Sequence, residues 1–324
     1  MPHSHYTRRE FAKIALGAVP VAGLLSGFNP LQAAEAAPAP TAKPNSKVNG
    51  VQIGLNVPYS FGNPAMSADD VLANCLTLGV GALELRTQPV EAFLGAPVVL
   101  VRPRGAVVIP ADAAAEAETL QKWRLSLSMD RVREFRKKYE SAGVLIEIVK
   151  VDGLLTMKGE TLDYVFTLAK ALGATALSTE IAANEDNLKR VGQFADKHAM
   201  MVGYHGHAST TPAIWERAFS FAKYNGANLD LGHFVAGNNL SPVEFMKKQH
   251  ARITHVHVKD RKMHEGPNTP FGEGDTPIVE VLRLIRDNRW PIQATIEFEY
   301  PVPAGSNRMA ELARAIKYCR DALA

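Results

Sequence analysis

From Val51 onward the sequence repeats a simple unit, in which a short apolar run is followed by a polar connection and an amphipathic helical segment. Apolar runs that alternate with helical patterns are typical of β/α units around a parallel sheet. Eight such runs predict a (β/α)8 TIM barrel, an α/β fold. The strands are predicted at 51–57, 81–86, 144–151, 175–181, 200–207, 227–233, 253–259 and 293–300.

A doubly wound α/β sheet is the competing architecture. It normally carries a glycine-rich phosphate-binding turn after its first strand, whereas this chain reads PYSFGNP after Val57. Residues 88–130 form a long insertion after the second predicted strand, which we expect to fold as a hairpin or a lid over the barrel mouth. We therefore predict one barrel domain over residues 50–324, with an insertion after strand 2.

The N-terminal residues have the pattern of an export signal. The charged segment TRREFAK, with paired arginines at 8 and 9, precedes the apolar stretch IALGAVPVAGLLSG and a region of small residues. We predict a twin-arginine signal peptide over residues 1–36 and a flexible linker over residues 37–49. The protein would then be periplasmic or secreted, without a stable membrane anchor after processing. The signal resembles those of the Tat pathway, which exports folded chains and often their cofactors.

Charge and cysteine content narrow the classes of partner. The formal net charge is +3 over 324 residues, and no basic tract of the kind that binds nucleic acid occurs. The two cysteines, Cys75 and Cys319, form no metal-binding motif, and a disulfide between them is left open. These features favour a small-molecule substrate, and they leave homo-oligomerisation open.

Polar side chains recur on one face of the predicted strands, near the C-terminal end of each. In the seventh strand, ITHVHVK, the side chains of His255, His257 and Lys259 share a face because strands alternate with period two. In a barrel the apolar face packs on the helices, so the polar face points into the lumen at the end where active sites form. The corresponding polar residues of the other strands are Glu84, Arg86, Ser178, Glu180, His205, His207, Asn228, Asp230, Glu297 and Glu299.

This set of side chains predicts a metal site. One buried carboxylate or imidazole alone would be explained as a structural residue. Several of them in one lumen call for a compensating cation, because unpaired buried charges are costly. Imidazole nitrogens and carboxylate oxygens suit Mn, Mg, Zn or Co, and we expect one such divalent ion, with Mn preferred.

Three motifs on consecutive predicted strands resemble a known family. LDLGHF, HVHVKD and TIEFEY occur in the order of the last three strands of the xylose-isomerase-like TIM-barrel superfamily, and GALELR, YHGH and FGEGDTPIVEVLRLI fit the same pattern. This superfamily includes sugar isomerases and epimerases, inosose dehydratase, hydroxypyruvate isomerase and family 2 apurinic endonucleases. The resemblance covers nearly all of residues 50–324.

The resemblance implies roles for individual residues. Asp230, His257 and Glu297 would be metal ligands, and His233 would support the site or bind substrate. Ketose 3-epimerases supply a glutamate from strand 5, but this chain has YHGH there. The pattern is closer to the YHHH and YHNH branches, in which a glutamate of strand 4 supplies the metal, so Glu180 is the implied fourth ligand.

We expect a divalent-metal-dependent isomerase or epimerase that acts on a sugar or keto-sugar. The ion would stabilise the enediolate that forms when the proton next to a carbonyl is removed. A lyase or dehydratase with the same chemistry is the alternative. A noncatalytic sugar-binding protein and an endonuclease-like hydrolase fit less well, because the ligand set is intact and no basic groove is indicated. The expected catalytic residues are Glu297, His205 and Glu180, and the expected substrate-binding residues are His207, His233, Lys259, Glu299 and Glu84.

Two of these residues have an alternative role. Lys259 could hold a substrate oxygen or form a salt bridge with Asp260 at the rim of the barrel. Glu299 could bind substrate or lie in solvent at the barrel mouth.

Overall fold

Eight parallel strands close into a barrel, as the sequence predicts. The computed structural model describes residues 43–99 and 113–324, so the predicted signal peptide, the first part of the linker (37–42) and the middle of the insertion lie outside the described residues. The strands are β1 (Val51–Val57), β2 (Ala82–Arg86), β3 (Leu145–Lys150), β4 (Ala176–Glu180), β5 (Met201–His205), β6 (Asn225–Asp230), β7 (Ile253–Val258) and β8 (Gln293–Ile296). Since β1 pairs with both β2 and β8, the ring has no open edge.

Helices connect the strands around the outside of the barrel. They are α1 (Ala68–Leu78), α2 (Thr87–Phe93), α3 (Ala113–Ser126), α4 (Met129–Ser141), α5 (Glu160–Leu172), α6 (Glu185–His198), α7 (Pro212–Phe219), α8 (Leu231–Asn238), α9 (Val243–Gln249), α10 (Ile278–Asp287) and α11 (Arg308–Leu323). Glycines end some of them: Gly79 after α1 and Gly173 after α5 have left-handed backbone conformations, with φ of 66° and 84°.

The alternation within each strand separates the core from the lumen. Val256 and Val258 of β7 are fully buried in the hydrophobic core. His257, between them, is paired in register with Asp230 of β6 and with Thr295 of β8. The polar face of one strand therefore lies beside the polar faces of its neighbours, which gathers their side chains in the lumen.

Two strands end three or more residues earlier than the sequence suggested. β6 ends at Asp230, because the carboxylate of Asp230 accepts a hydrogen bond from the backbone N–H of His233 and caps α8. His233 therefore lies in the first turn of a helix. β8 ends at Ile296, so Glu297 and Glu299 lie in the connection that follows.

The described parts of the insertion are mostly helical. Residues 88–130 include most of α2, all of α3 and the start of α4, so a hairpin is not found in these parts. The end of the predicted linker is also ordered. Lys47–Val48 pairs antiparallel with the start of β1, and the Ser46 hydroxyl bonds the carbonyl of Ile53.

Two further observations concern membrane-spanning helices and the two cysteines. In residues 43–99 and 113–324, no helix is both long enough and apolar enough to cross a membrane. Cys75 and Cys319 are buried and free, so the open question of a disulfide is answered against it.

Candidate active site and metal site

Four buried side chains converge at the C-terminal end of the barrel. His205, Asp230, His257 and Glu297 each offer a nitrogen or oxygen atom, and these atoms all lie within 4.8 Å of one another. They come from the ends of β5, β6 and β7 and from the first residue after β8. We call these four residues the central cluster.

The orientation of His257 suits a metal ligand. Its Nε2 lies 2.5 Å from an oxygen of Glu84, while its Nδ1 lies 3.3 Å from Glu297 and 3.7 Å from Asp230. Among the described residues, Nδ1 has no hydrogen-bond partner. Metal-binding histidines commonly donate their second N–H to a carboxylate in this way, which fixes the ring and points the other nitrogen at the ion.

The electrostatics of His257 agree with a cation at Nδ1. Burial alone would lower the pKa of His257, but the carboxylates of Glu84 and Glu297 outweigh burial and raise this pKa well above its ordinary value. The second proton on the ring then compensates the carboxylates in the metal-free protein. A divalent ion at Nδ1 would take the place of that proton. The donor set therefore fits Mn, Mg, Zn or Co.

Lys259 lies against the carboxylates of the site. Its Nζ is 2.9 Å from Asp230, 2.5 Å from Glu297 and 2.7 Å from Glu299. Burial opposes the charged ammonium, but these three carboxylates outweigh burial and raise the pKa of Lys259 well above its ordinary value. The structure thus places Lys259 in the site and contradicts the alternative of a rim salt bridge with Asp260.

Asp260 has a different role, in the connection that follows β7. Its carboxylate is buried and accepts hydrogen bonds from the backbone N–H groups of Gly272, Gly274 and Thr276. These bonds hold the FGEGDT segment in place. A side chain at Gly274 would collide with this carboxylate, since an added Cβ would lie 1.9 Å from an Asp260 oxygen.

Glu180 lies next to the central cluster. One of its oxygens is 2.6 Å from Lys150 Nζ, and the other is 2.9 Å from His205 Nδ1 and 2.7 Å from His207 Nε2. The opposite nitrogen of His205 lies 3.3 Å from Asp230. His205 thus stands between Glu180 and Asp230, and it occupies the fourth position of the central cluster, where the resemblance implied Glu180.

Glu180 and His205 each stabilise the charged form of the other. Burial would raise the pKa of Glu180, but Lys150 and His205 outweigh burial and lower this pKa strongly. Burial would likewise lower the pKa of His205, but the Glu180 carboxylate outweighs it and raises that pKa. Glu180 is therefore held in its ionised form, and the protonated form of His205 is favoured more than in a free imidazole.

The other predicted substrate-binding residues, except Glu84, surround the mouth of the site. The ring of His207 is 4.7 Å from that of His205 and 5.0 Å from that of His233, between centroids. His207 is the most exposed of the three, and burial lowers the pKa of His233 to about 4. Glu299 accepts hydrogen bonds from Lys259 and from the Tyr59 hydroxyl.

Glu84 has a different place from the one expected. It is fully buried below the mouth, where its two oxygens lie 3.4 Å from His255 Nε2 and 2.5 Å from His257 Nε2. In this position it orients His257, and it does not line the mouth as a substrate contact would.

Residues 160–322 match the family described as xylose isomerase-like TIM barrel. The chain belongs to this family.

Curated relatives and solved structures of similar fold add detail. Inosose dehydratases of Clostridium perfringens (strain 13 / Type A) and Clostridium botulinum (strain Alaska E43 / Type E3) are each 26% identical over 158 and 159 residues, which is 42% of this chain and 52% of theirs. The chain thus spans about half the length of the curated relatives it matches.

Among solved structures, the probable 3-DHS dehydratase AsbF of Bacillus anthracis has a TM-score of 0.56 at 14% identity, covering 82% of this chain and 98% of that one. D-psicose 3-epimerase of Clostridium cellulolyticum H10, solved with D-tagatose, has a TM-score of 0.56 at 11% identity, with 84% and 99% covered. A family protein of Mycobacterium smegmatis, solved with magnesium, has a TM-score of 0.55 at 14% identity, with 84% and 96% covered. At these identities the likeness concerns the fold.

Three residues that contact the site were not predicted from the sequence. Lys150 closes β3, is buried and bonds Glu180. Asn56 of β1 donates to Glu297 at 2.7 Å, and Tyr59 bonds Glu299. The sequence could have indicated Lys150. A lysine at the end of the apolar strand LIEIVK is as unusual as the glutamate at the end of β4.

Proposed function

We propose that the protein is a divalent-metal-dependent lyase that acts on a keto-sugar. It would remove the proton next to a carbonyl and expel a substituent from the following carbon. The central cluster carries this proposal, because four buried donor atoms within 4.8 Å of one another fit a divalent ion. Asp230, His257 and Glu297 would hold the ion, with His205 or Glu180 as the fourth ligand.

A divalent ion at this place would polarise the carbonyl and stabilise the negative charge that develops when the adjacent C–H bond is broken. Side chains of the protein would remove the proton and hold the substrate. Glu297 is ionised: burial would raise its pKa, but Lys259 and His257 hold it well below the ordinary value. Its carboxylate would take the proton, and Lys259, which contacts both Glu297 and Glu299, would hold a substrate oxygen.

The asymmetry of the site favours elimination over epimerisation. A symmetrical epimerase needs a base on each face of the carbon that loses its proton. Glu297 lies on one side of this mouth, whereas the opposite side carries the imidazoles of His205 and His207, with Glu180 held by Lys150. An imidazole there that does not hold the ion can deliver a proton to a departing oxygen. The names of the curated relatives, inosose dehydratases, agree with a lyase.

Isomerisation or epimerisation is the second candidate. It is supported by the same imidazole group, since a proton delivered to carbon instead of oxygen would give an isomer. A fold neighbour is a D-psicose 3-epimerase. The twin-arginine signal expected at residues 1–36 would place either reaction in the periplasm.

Nuclear magnetic resonance in D2O separates these outcomes. Manganese-loaded protein would be incubated with methyl 3-keto-α-D-glucopyranoside and, separately, with free ketoses. A lyase releases methanol and an unsaturated ketone, whereas an epimerase gives both epimers with deuterium at the carbon next to the carbonyl. The proposal fails if neither exchange nor methanol release is seen with any of these substrates.

A further inference from the structure

A second cavity lies beside the active site, on the side of the barrel that carries the insertion. It has a volume of about 550 Å³ and lies between α2, α3 and the connection that follows β3. This volume is within the range of about 300–1,000 Å³ that is usual for small-molecule sites. We call it the insertion-side cavity. Its polar lining includes Gln88, Gln121, Arg124, Asp152, Lys158 and Thr161.

The cavity is joined to the active site through Arg86. Both oxygens of Asp152, which lines the cavity, accept hydrogen bonds from Arg86, at 2.6 and 2.7 Å. The guanidinium of Arg86 also lies 5.4 Å from the ring centroid of Tyr59, whose hydroxyl bonds Glu299 of the active site. The side chain of Arg86 therefore lies between a residue of the cavity lining and a residue that contacts the active site, which places the cavity next to the site.

The outer wall of the cavity is held firmly against the barrel. Arg124 of α3 makes two hydrogen bonds to the buried carboxylate of Glu91 in α2, at 2.7 and 2.9 Å. The hydroxyl of Tyr164 in α5 lies 3.3 Å from the same carboxylate. Because a bidentate pair of this kind fixes geometry, the insertion helix forms a defined wall.

The lining predicts the chemistry of the ligand. Its charged groups are largely paired with each other, Arg124 with Glu91 and Asp152 with Arg86. The lining also includes the amide of Gln121, the hydroxyl of Thr161 and the ammonium of Lys158. The amide and the hydroxyl both donate and accept hydrogen bonds and the ammonium donates them, which suits a ligand with many hydroxyls.

We propose that the insertion-side cavity binds the leaving group of the substrate, and that this leaving group is a second sugar. The substrate would then be a keto-glycoside with at least two sugar units. This inference rests on the proposed lyase function. It assigns the insertion after β2 a role in selecting substrates by the size of their leaving group.

The reaction balances without any further reactant. A base of the protein takes the proton from the carbon next to the carbonyl, and the electron pair of that C–H bond forms a C=C bond. The C–O bond to the second sugar breaks, and its electron pair stays on the oxygen. That oxygen takes a proton from an imidazole at the mouth. The products are an unsaturated ketone and the free second sugar, which leaves from the cavity.

Two substrates that differ only in the leaving group test this inference. In 3-keto-trehalose the leaving group is glucose, and in methyl 3-keto-α-D-glucopyranoside it is methanol. We expect Gln121→Ala and Lys158→Ala each to raise the ratio of the two KM values, keto-trehalose over methyl glycoside, by roughly five- to tenfold. Lys122→Ala, the exposed neighbour of Gln121 outside the lining, should leave the ratio unchanged.

A binding measurement separates this inference from the lyase function. Saturation-transfer NMR with glucose, the released sugar, should show binding to the wild-type protein and weaker binding to Gln121→Ala, whether or not either substrate is turned over. Equal glucose binding by both proteins, or an unchanged KM ratio in both cavity variants, would overturn the inference. Thermal unfolding of each variant, expected to match the wild type, shows that the fold is intact.

Discussion

The two sides of the barrel mouth use charge in opposite ways. On the side of β5 to β8, the charged groups converge: Lys259 contacts three carboxylates, and the donor atoms of the central cluster lie within 4.8 Å of one another. On the insertion side the charges are paired off, Arg86 with Asp152 and Arg124 with Glu91. Converging charges need a cation and can move protons, whereas paired charges form a stable wall. The comparison indicates that chemistry belongs to one side and ligand selection to the other.

Replacing one aspartate on each side should give the largest difference in activity between the two sides. Asp230→Asn keeps the acceptor that caps α8 but removes a charge from the central cluster. We expect it to lower kcat about a thousandfold, because a metal contribution of several kcal/mol is lost. Asp152→Asn, on the insertion side, should lower kcat less than about tenfold. Similar losses of kcat in both variants would contradict the division between the two sides.

The wall on the insertion side should matter for stability. Glu91→Gln leaves Arg124 without its charged partner in a largely buried place, and we expect a loss of about 3 kcal/mol in the free energy of unfolding. Glu118→Gln in the same helix as Arg124 is the control, since its pair with Lys122 is exposed and contributes little to stability. Urea denaturation measures both. A Glu91→Gln protein as stable as the control would show that the wall is not fixed by this pair.

Glu84, a second buried glutamate, should affect the affinity for metal and not the stability of the insertion-side wall. Glu84 orients His257 from below the central cluster. We expect Glu84→Gln to weaken metal binding by about 10- to 100-fold, the usual range for a partner of a ligating histidine. Competition with a metal-sensitive dye gives the affinity. Glu91→Gln should bind metal as the wild type does, and an unchanged affinity in Glu84→Gln would remove its positioning role.

For six of the eight strands the sequence predicted which face points into the lumen, but not how deep each side chain lies. Alternation placed Glu84, Glu180 and His257 on polar faces correctly, because period two follows from strand geometry. Depth depends on the register between neighbouring strands, which shifts between Leu83 and Glu84 and again between Ala227 and Asn228. Glu84 is therefore deeper than a substrate contact.

The same limit explains the fourth position of the central cluster. His205 and Glu180 are register partners on neighbouring strands. Their order relative to Asp230 depends on side-chain length and on Lys150, which holds Glu180 away from the centre. The insertion was the least predictable part, since α3 has no clear apolar face in the sequence that would indicate how it packs.

Metal content tests the central claim most directly. Protein purified without chelator, and apoprotein titrated with Mn²⁺, would be analysed by inductively coupled plasma mass spectrometry and calorimetry, beside Asp230→Asn and Asp152→Asn. We predict one divalent ion per chain in the wild type and in Asp152→Asn, with binding strongly reduced in Asp230→Asn. No bound ion in the wild type, or equal binding by Asp230→Asn, would contradict a metal site at the central cluster.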